Sequence, residues 1–233
     1  MINSPIDEIK QIFISENTLN FNEINEKFNN EKINIEEFDY KQLLKEYINS
    51  EEWESALNTI EKIISKEGLT KENINYKAKL LIKLGQIKKA HTFLDELFNN
   101  DKNDFYYFLK TKIYFYEGSY SKALEHIEKA IKYNEKKGLY WYWKGLILKN
   151  NNLFKDAIKS LLEALKFYQN YKVYYQLGII YFEIKNYENA IKYLESILDS
   201  PKIPKKIYWY LGNSYQNIKN NEKAKYYFEL FKT

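Results

Sequence analysis

The stretch YYQLGIIY at 174–181 returns as YWYLGNSY at 208–215, with the same Tyr-x2-Leu-Gly-x2-Tyr spacing. Twelve residues after each glycine stands an alanine, Ala190 and Ala224. Four further on comes a large apolar residue, Leu194 and Phe228. Within one copy, Tyr174, Leu177, Gly178 and Tyr181 fall at i, i+3, i+4 and i+7, which is one face of a helix. Gly178 has no side chain, so a second helix can come close. Ala190 is the small residue that this second helix places at the contact. Each copy therefore reads as helix, turn, helix, and no stretch alternates strongly enough to read as a strand.

The register continues towards the N-terminus. Trp141-x2-Lys144-Gly145-x2-Leu148 leads to Ala157 and Leu161, and Tyr107-x2-Lys110-Thr111-x2-Tyr114 to Ala123 and Ile127. Ile74-x2-Lys77-Ala78-x2-Leu81 leads to Ala90 and Leu94, and Tyr40-x2-Leu43-Leu44-x2-Tyr47 to Ala56 and Ile60. The alanines at 56, 90, 123, 157, 190 and 224 step by 34, 33, 34, 33 and 34 in a chain poor in alanine. This divides the chain into six repeats: 37–70, 71–103, 104–137, 138–170, 171–204 and 205–233. A period of this length marks a stacked array of two-helix units, an architecture that usually serves to bind other chains.

The pattern resembles the tetratricopeptide repeat, whose signature is W-x2-L-G-x2-Y, then A-x3-F, then P. The match is close in repeats five and six, good in four, and degenerate in one to three, where Leu44, Ala78 and Thr111 replace the glycine. The resemblance implies an all-α, right-handed α-solenoid whose first helices line a concave groove. The face opposite the packing face falls near positions 2, 5, 9, 12 and 13 of each repeat. In repeat three this face holds Phe105, Phe108, Lys112, Phe115 and Tyr116; in repeat four, Tyr142, Leu146 and Lys149. Repeat five adds Tyr175, Ile179 and Phe182, and repeat six Trp209 and Asn213. Repeats one and two bring Lys41, Lys45, Lys79 and Lys83 to the same face.

The expected function is a scaffold that holds a protein or peptide, acidic at its flanks and with apolar anchors, against partly exposed rings. Chaperone-binding members of the family hold a C-terminal carboxylate with a Lys-x3-Asn pair and an arginine. Here the matching pair is Lys41-x3-Lys45 and the chain has no arginine, so that subtype is disfavoured. Two other readings stand beside the scaffold. Aromatic rings with nearby lysines suit an RNA-binding array, but the net charge of +4 is small and arginine is absent. A self-assembling component of a larger complex is the third.

Composition narrows the chemistry. All 36 basic residues are lysine, and the 23 tyrosines accompany an abundance of asparagine and isoleucine, a bias that AT-rich codons produce. The chain has no cysteine, hence no disulfide and no thiolate metal site. None of the seven glycines stands in a phosphate-binding run. His91 and His126 have no partner motif, and the adjacent pairs Glu36-Glu37 and Glu51-Glu52 point different ways on a helix. No enzymatic activity, cofactor or metal is expected. No signal-like or membrane-length apolar run occurs, so the expected location is the cytoplasm.

The ends depart from the repeat frame. In residues 1–36, Ile6, Ile9 and Phe13 form one apolar face and Phe21, Ile24 and Phe28 another, which fits either a decayed repeat or a cap. At the other end Ala224, Phe228 and Phe231 are expected to turn inward. Tyr227 and Leu230 then lie where a further repeat would pack, which suggests self-association through the C-terminal repeat, contact with a partner protein, or a place within a longer array.

Overall fold

The computed structural model describes residues 39–99, 101–201 and 203–232. Both apolar faces read in residues 1–36 lie outside the described residues. The chain divides into two compact units, Met1–Asn99 and Asn100–Thr233.

The first unit contains α1 (Tyr40–Asn49), α2 (Trp53–Glu67), α3 (Lys71–Lys83) and α4 (Ile87–Leu97). The second contains α5 (Asp104–Tyr116), α6 (Tyr120–Tyr133), α7 (Gly138–Asn150), α8 (Phe154–Phe167), α9 (Tyr171–Glu183), α10 (Tyr187–Glu195), α11 (Lys206–Asn217) and α12 (Asn221–Lys232). Among the described residues there is no strand. The fold is an all-α helical repeat.

Local chemistry sets the helix starts. Asp39 Oδ1 accepts from the N–H groups of Lys41 and Gln42 at the head of α1. Thr70, Asn103 and Asn170 cap α3, α5 and α9 in the same way. Such side chains satisfy N–H groups that the first turn leaves without an intrahelical partner.

The turn inside each repeat is built once and copied six times. Position 15 adopts left-handed backbone throughout: Glu51 (φ 59°), Gly85 (69°), Gly118 (80°), Asn152 (60°), Lys185 (60°) and Lys219 (62°). The next residue sends its N–H back to the carbonyl of position 11. These bonds run from Glu52 to Tyr47, Gln86 to Leu81, Ser119 to Tyr114, Leu153 to Leu148, Asn186 to Tyr181 and Asn220 to Tyr215, all at 2.8–2.9 Å. This is the Schellman way of closing a helix.

The two helices of a repeat meet through the residues that carry the sequence signature. Ala56, Ala90, Ala123, Ala157 and Ala190 are fully buried and Ala224 nearly so. A Cβ added at Gly178 would stand 2.5 Å from Leu194 Cγ and Cδ2, so the absence of a side chain there sets the helix spacing. Beside this contact, repeats three, five and six share a ring sandwich. Tyr193 lies between Tyr174 and Tyr181, with centroids 6.4 and 5.4 Å away. Tyr227 lies between Tyr208 and Tyr215 at 6.4 and 5.6 Å. In repeat three the middle ring is His126, between Tyr107 and Tyr114 at 6.0 and 4.8 Å.

The C-terminal helix differs from the sequence expectation. Tyr227 is buried in its sandwich, and its hydroxyl donates to Glu195 Oε1 at 3.0 Å. Leu230 is half-covered, while Phe231 faces outward instead of inward. The most exposed ring on α12 is Tyr226. Tyr227 turns in because position 23 belongs to the intra-repeat sandwich, whatever lies beyond the last repeat.

Candidate functional site

The first helices α5, α7, α9 and α11 of the second unit carry every ring expected to line the groove. The structure splits these residues into two sets. Phe108, Lys112, Phe115, Tyr142, Tyr175 and Ile179 are buried, contrary to the expectation of partly exposed rings. Phe105, Tyr116, Leu146, Lys149, Phe182, Trp209 and Asn213 keep part of their surface.

Packing between consecutive first helices explains the burial. Rings at positions 5 and 12 of one repeat meet positions 3, 5 and 6 of the next. Phe108 packs on Tyr140 and Trp143 at 5.0 and 5.9 Å, and Phe115 on Trp143 at 5.4 Å. Tyr175 packs on Tyr210 at 6.3 Å, while Phe182 meets Tyr210 and Trp209 at 5.2 and 5.7 Å. Most are edge-on or tilted, the arrangement that ring quadrupoles favour. A helical wheel of one repeat shows only that these positions face away from the second helix. It does not show that the neighbouring first helix covers them.

Polar groups occupy the gaps. Lys149 on α7 donates to Gln176 Oε1 on α9 at 3.3 Å and lies 3.7 Å from Glu183 Oε1. Lys112 Nζ sits 5.7 Å from the centre of the Phe108 ring. Burial pushes the hydroxyls of Tyr116 and Tyr142 well above the ordinary tyrosine pKa, and lowers that of the Lys172 ammonium. Asn213 turns its amide NH2 back to Trp209 O, and Asn217 to Asn213 O, both at 2.8 Å. Their amide oxygens remain as acceptors along one strip of α11.

Sequence reasoning missed several ties between repeats. Tyr140 O–H donates to Asp104 Oδ2 at 2.8 Å. Lys144 pairs with Glu128 at 2.8 Å. Tyr215 O–H donates to Glu195 Oε1 at 2.6 Å, with Lys223 Nζ 2.9 Å from the same hydroxyl. Spacing alone does not reveal the ties of Tyr140 to Asp104, Lys144 to Glu128 and Tyr215 to Glu195, because each links one repeat to another.

Among the described residues no three or more His, Asp or Glu side chains gather as a metal site would need. No described helix is long and apolar enough to cross a membrane.

Residues 110–172 and 171–201 each match a family model of the tetratricopeptide repeat. The chain belongs to the tetratricopeptide repeat family. Residues 49–130 match a further family model, described as anaphase-promoting complex, cyclosome, subunit 3. The human protein named tetratricopeptide repeat protein 13 is 28% identical over 113 residues. That stretch is 48% of this chain but 13% of the human protein, so the chain spans a small part of that relative's length.

Solved structures share the fold of this tetratricopeptide protein. The structure of BtubC from P. vanneervenii aligns with a TM-score of 0.64 at 17% identity, covering 84% of this chain and 91% of that one. YrrB, titled a TPR protein with an unusual peptide-binding site, aligns at 0.57 and 18% identity, covering 74% and 90%. The Cut9–Hcn1 hetero-tetramer of the APC/C aligns at 0.67 and 14% identity, covering 82% of this chain and 39% of that chain.

Proposed function

We propose that the first-helix face of the second unit binds a peptide segment of a protein partner. The observation that carries this reading is the row of half-covered side chains left after the repeats have packed: Phe105, Tyr116, Leu146, Lys149, Phe182 and Trp209. These rings are held by neighbours, so little rotamer freedom is lost on binding. Trp209 is wedged against Phe182 and Tyr210 and still has open surface, the situation of a binding hot spot. Asn213 and Asn217 offer amide oxygens to the N–H groups of an extended peptide. The family's general role as a protein-interaction scaffold supports the same reading, with binding and not catalysis as the activity.

The test places a photoreactive amino acid at Asn213, at Lys149 and, on the exposed side of a second helix, at Lys192. A partner captured from the source cells should be crosslinked from the first two positions and not from Lys192. With that partner purified, Trp209→Ala is expected to weaken binding by at least tenfold, about 1.4 kcal/mol, with helicity unchanged. Crosslinking from Lys192 alone would refute the assignment.

A further inference from the structure

The sixth repeat shows what fills the space beside the ring at position 23. Tyr215, at position 11, lies on Tyr227 with ring planes 9° apart and centroids 5.6 Å apart. Its hydroxyl donates to Glu195, at position 25 of the preceding repeat, and meets Lys223, at position 19. The second repeat and the one before it fill these four positions with Leu81, Phe93, Glu61 and Lys89, Glu61 being the residue from the first. The platform ring, the carboxylate and the lysine are kept, and the phenol is missing. Leu81 ends several atoms short of where a tyrosine hydroxyl would reach. In that place the first unit has a cleft of about 400 Å3, and all four residues line it.

The remaining walls suit the same guest. Lys77 Nζ lies 3.0 Å from Glu61 Oε1 and 5.0 Å from the centre of the Phe93 ring, so the ammonium and the carboxylate both stand beside the platform. A carboxylate has acceptor sites for several donors, so Glu61 can take an O–H as well. Gln86, also on the wall, has a buried amide oxygen with no hydrogen-bond partner among the described residues.

We propose that the cleft between α2, α3 and α4 binds the phenol ring of a tyrosine side chain presented by a partner protein. The ring stacks on Phe93, its hydroxyl donates to Glu61, and Lys89 closes over the oxygen, as Tyr215 is held within its own chain. The site lies in the first unit and is independent of the first-helix face of the second. A phosphorylated tyrosine is disfavoured, because it lacks the hydroxyl that would donate to Glu61 and brings a phosphate towards that carboxylate.

The probe is N-acetyl-tyrosinamide, titrated into the ¹⁵N-labelled full chain, with N-acetyl-phenylalaninamide and the O-phosphorylated amide as comparisons. Amide shifts are expected within residues 57–96. The phenylalanine probe should bind at least about tenfold more weakly for want of one hydrogen bond to a charged acceptor, and the phosphorylated probe more weakly than the tyrosine probe. Leu81→Tyr supplies the ring from within and should abolish binding while raising Tm. Glu61→Ala, at an exposed site that does not threaten folding, should make the tyrosine and phenylalanine probes equal. Equal affinities in the unmodified chain, undiminished binding in Leu81→Tyr, shifts only outside residues 57–96, or no binding up to the probe's solubility would each overturn the proposal.

Discussion

Replacing Lys185 and Lys219 with glycine is expected to stabilise the second unit, although neither change adds a contact. Both lysines sit at the left-handed position of their turns, with φ of 60° and 62°. Left-handed backbone costs an ordinary residue roughly 1–2 kcal/mol, because its Cβ crowds the following carbonyl. Glycine escapes that cost but has a freer unfolded chain, which offsets about 0.4–1 kcal/mol. The net gain is therefore about 0.5–1 kcal/mol at each site and about 1–2 kcal/mol for the pair. Both side chains are exposed, so little packing is lost. At this chain length the pair should raise Tm by roughly 2–8 °C, followed by circular dichroism during heating and checked by urea titration. The reciprocal change is Gly118→Ala. An added Cβ there meets nothing within 4 Å, so any loss of stability comes from the backbone alone. If the lysine changes lower Tm, or if Gly118→Ala leaves it unmoved, strain at position 15 is not the controlling quantity.

Three further outcomes follow from the packing. Gly178→Ala should destabilise by about 1–3 kcal/mol, since its Cβ would press on the buried Leu194; an unchanged urea midpoint would mean that the helix pair can relax at no cost. Phe108→Ala should cost about 3–5 kcal/mol by emptying the contact with Tyr140 and Trp143, whereas Trp209→Ala should mainly affect binding; equal losses of stability would contradict the division of the face into packing and contact residues. His126 is held below its ordinary pKa, first by burial, so the folded chain resists the proton that the unfolded chain accepts. Its contribution is fully present above about pH 6.5 and declines as the pH falls through the lowered folded value. His126→Tyr, which restores the ring found at this position in repeats five and six, should therefore reduce the drop in Tm between neutral and mildly acid solution.

Much of the fold was legible because the determinants of a two-helix repeat are local and recur. The alanine series, the glycines at 145, 178 and 212, and Gly85 and Gly118 at the turns all act within one repeat. One repeat's spacing is enough to read them. The turn residues Glu51, Lys185 and Lys219 were not legible, since nothing about a lysine or glutamate announces left-handed backbone. The hydrogen bond from position 16 to position 11 imposes it regardless of side chain. On the candidate face the expectation of partly exposed rings fails at Phe108, Phe115, Tyr142 and Tyr175, which are buried. Phe108 and Tyr175 are as hydrophobic as Phe105 and Trp209. What separates them is the next first helix, whose placement depends on residues about 33 positions away.

The same long-range logic explains why repeats two to four depart from the family pattern at position 7. Lys77, Lys110 and Lys144 replace the leucine that repeats five and six keep as the fully buried Leu177 and Leu211. A lysine stem lies along apolar surface while its ammonium reaches outward. For Lys77 and Lys144 the ammonium reaches Glu61 and Glu128, which hold position 25 of the preceding repeat, at 3.0 and 2.8 Å. Half-exposed pairs of this kind contribute about 0–1 kcal/mol, less than the leucine they displace would gain by burial. Their effect is on register: a slip of one residue would separate each lysine from its carboxylate. At the same junction of repeats, Glu195 shows the alternative. With Leu211 at position 7, its carboxylate accepts the hydroxyls of Tyr215 and Tyr227 instead. Position 25 thus ties each of these repeats to the next through whichever donor the next repeat supplies. The first unit keeps that carboxylate in Glu61 without a tyrosine at position 11, so the space that a phenol fills in repeat six stays open there.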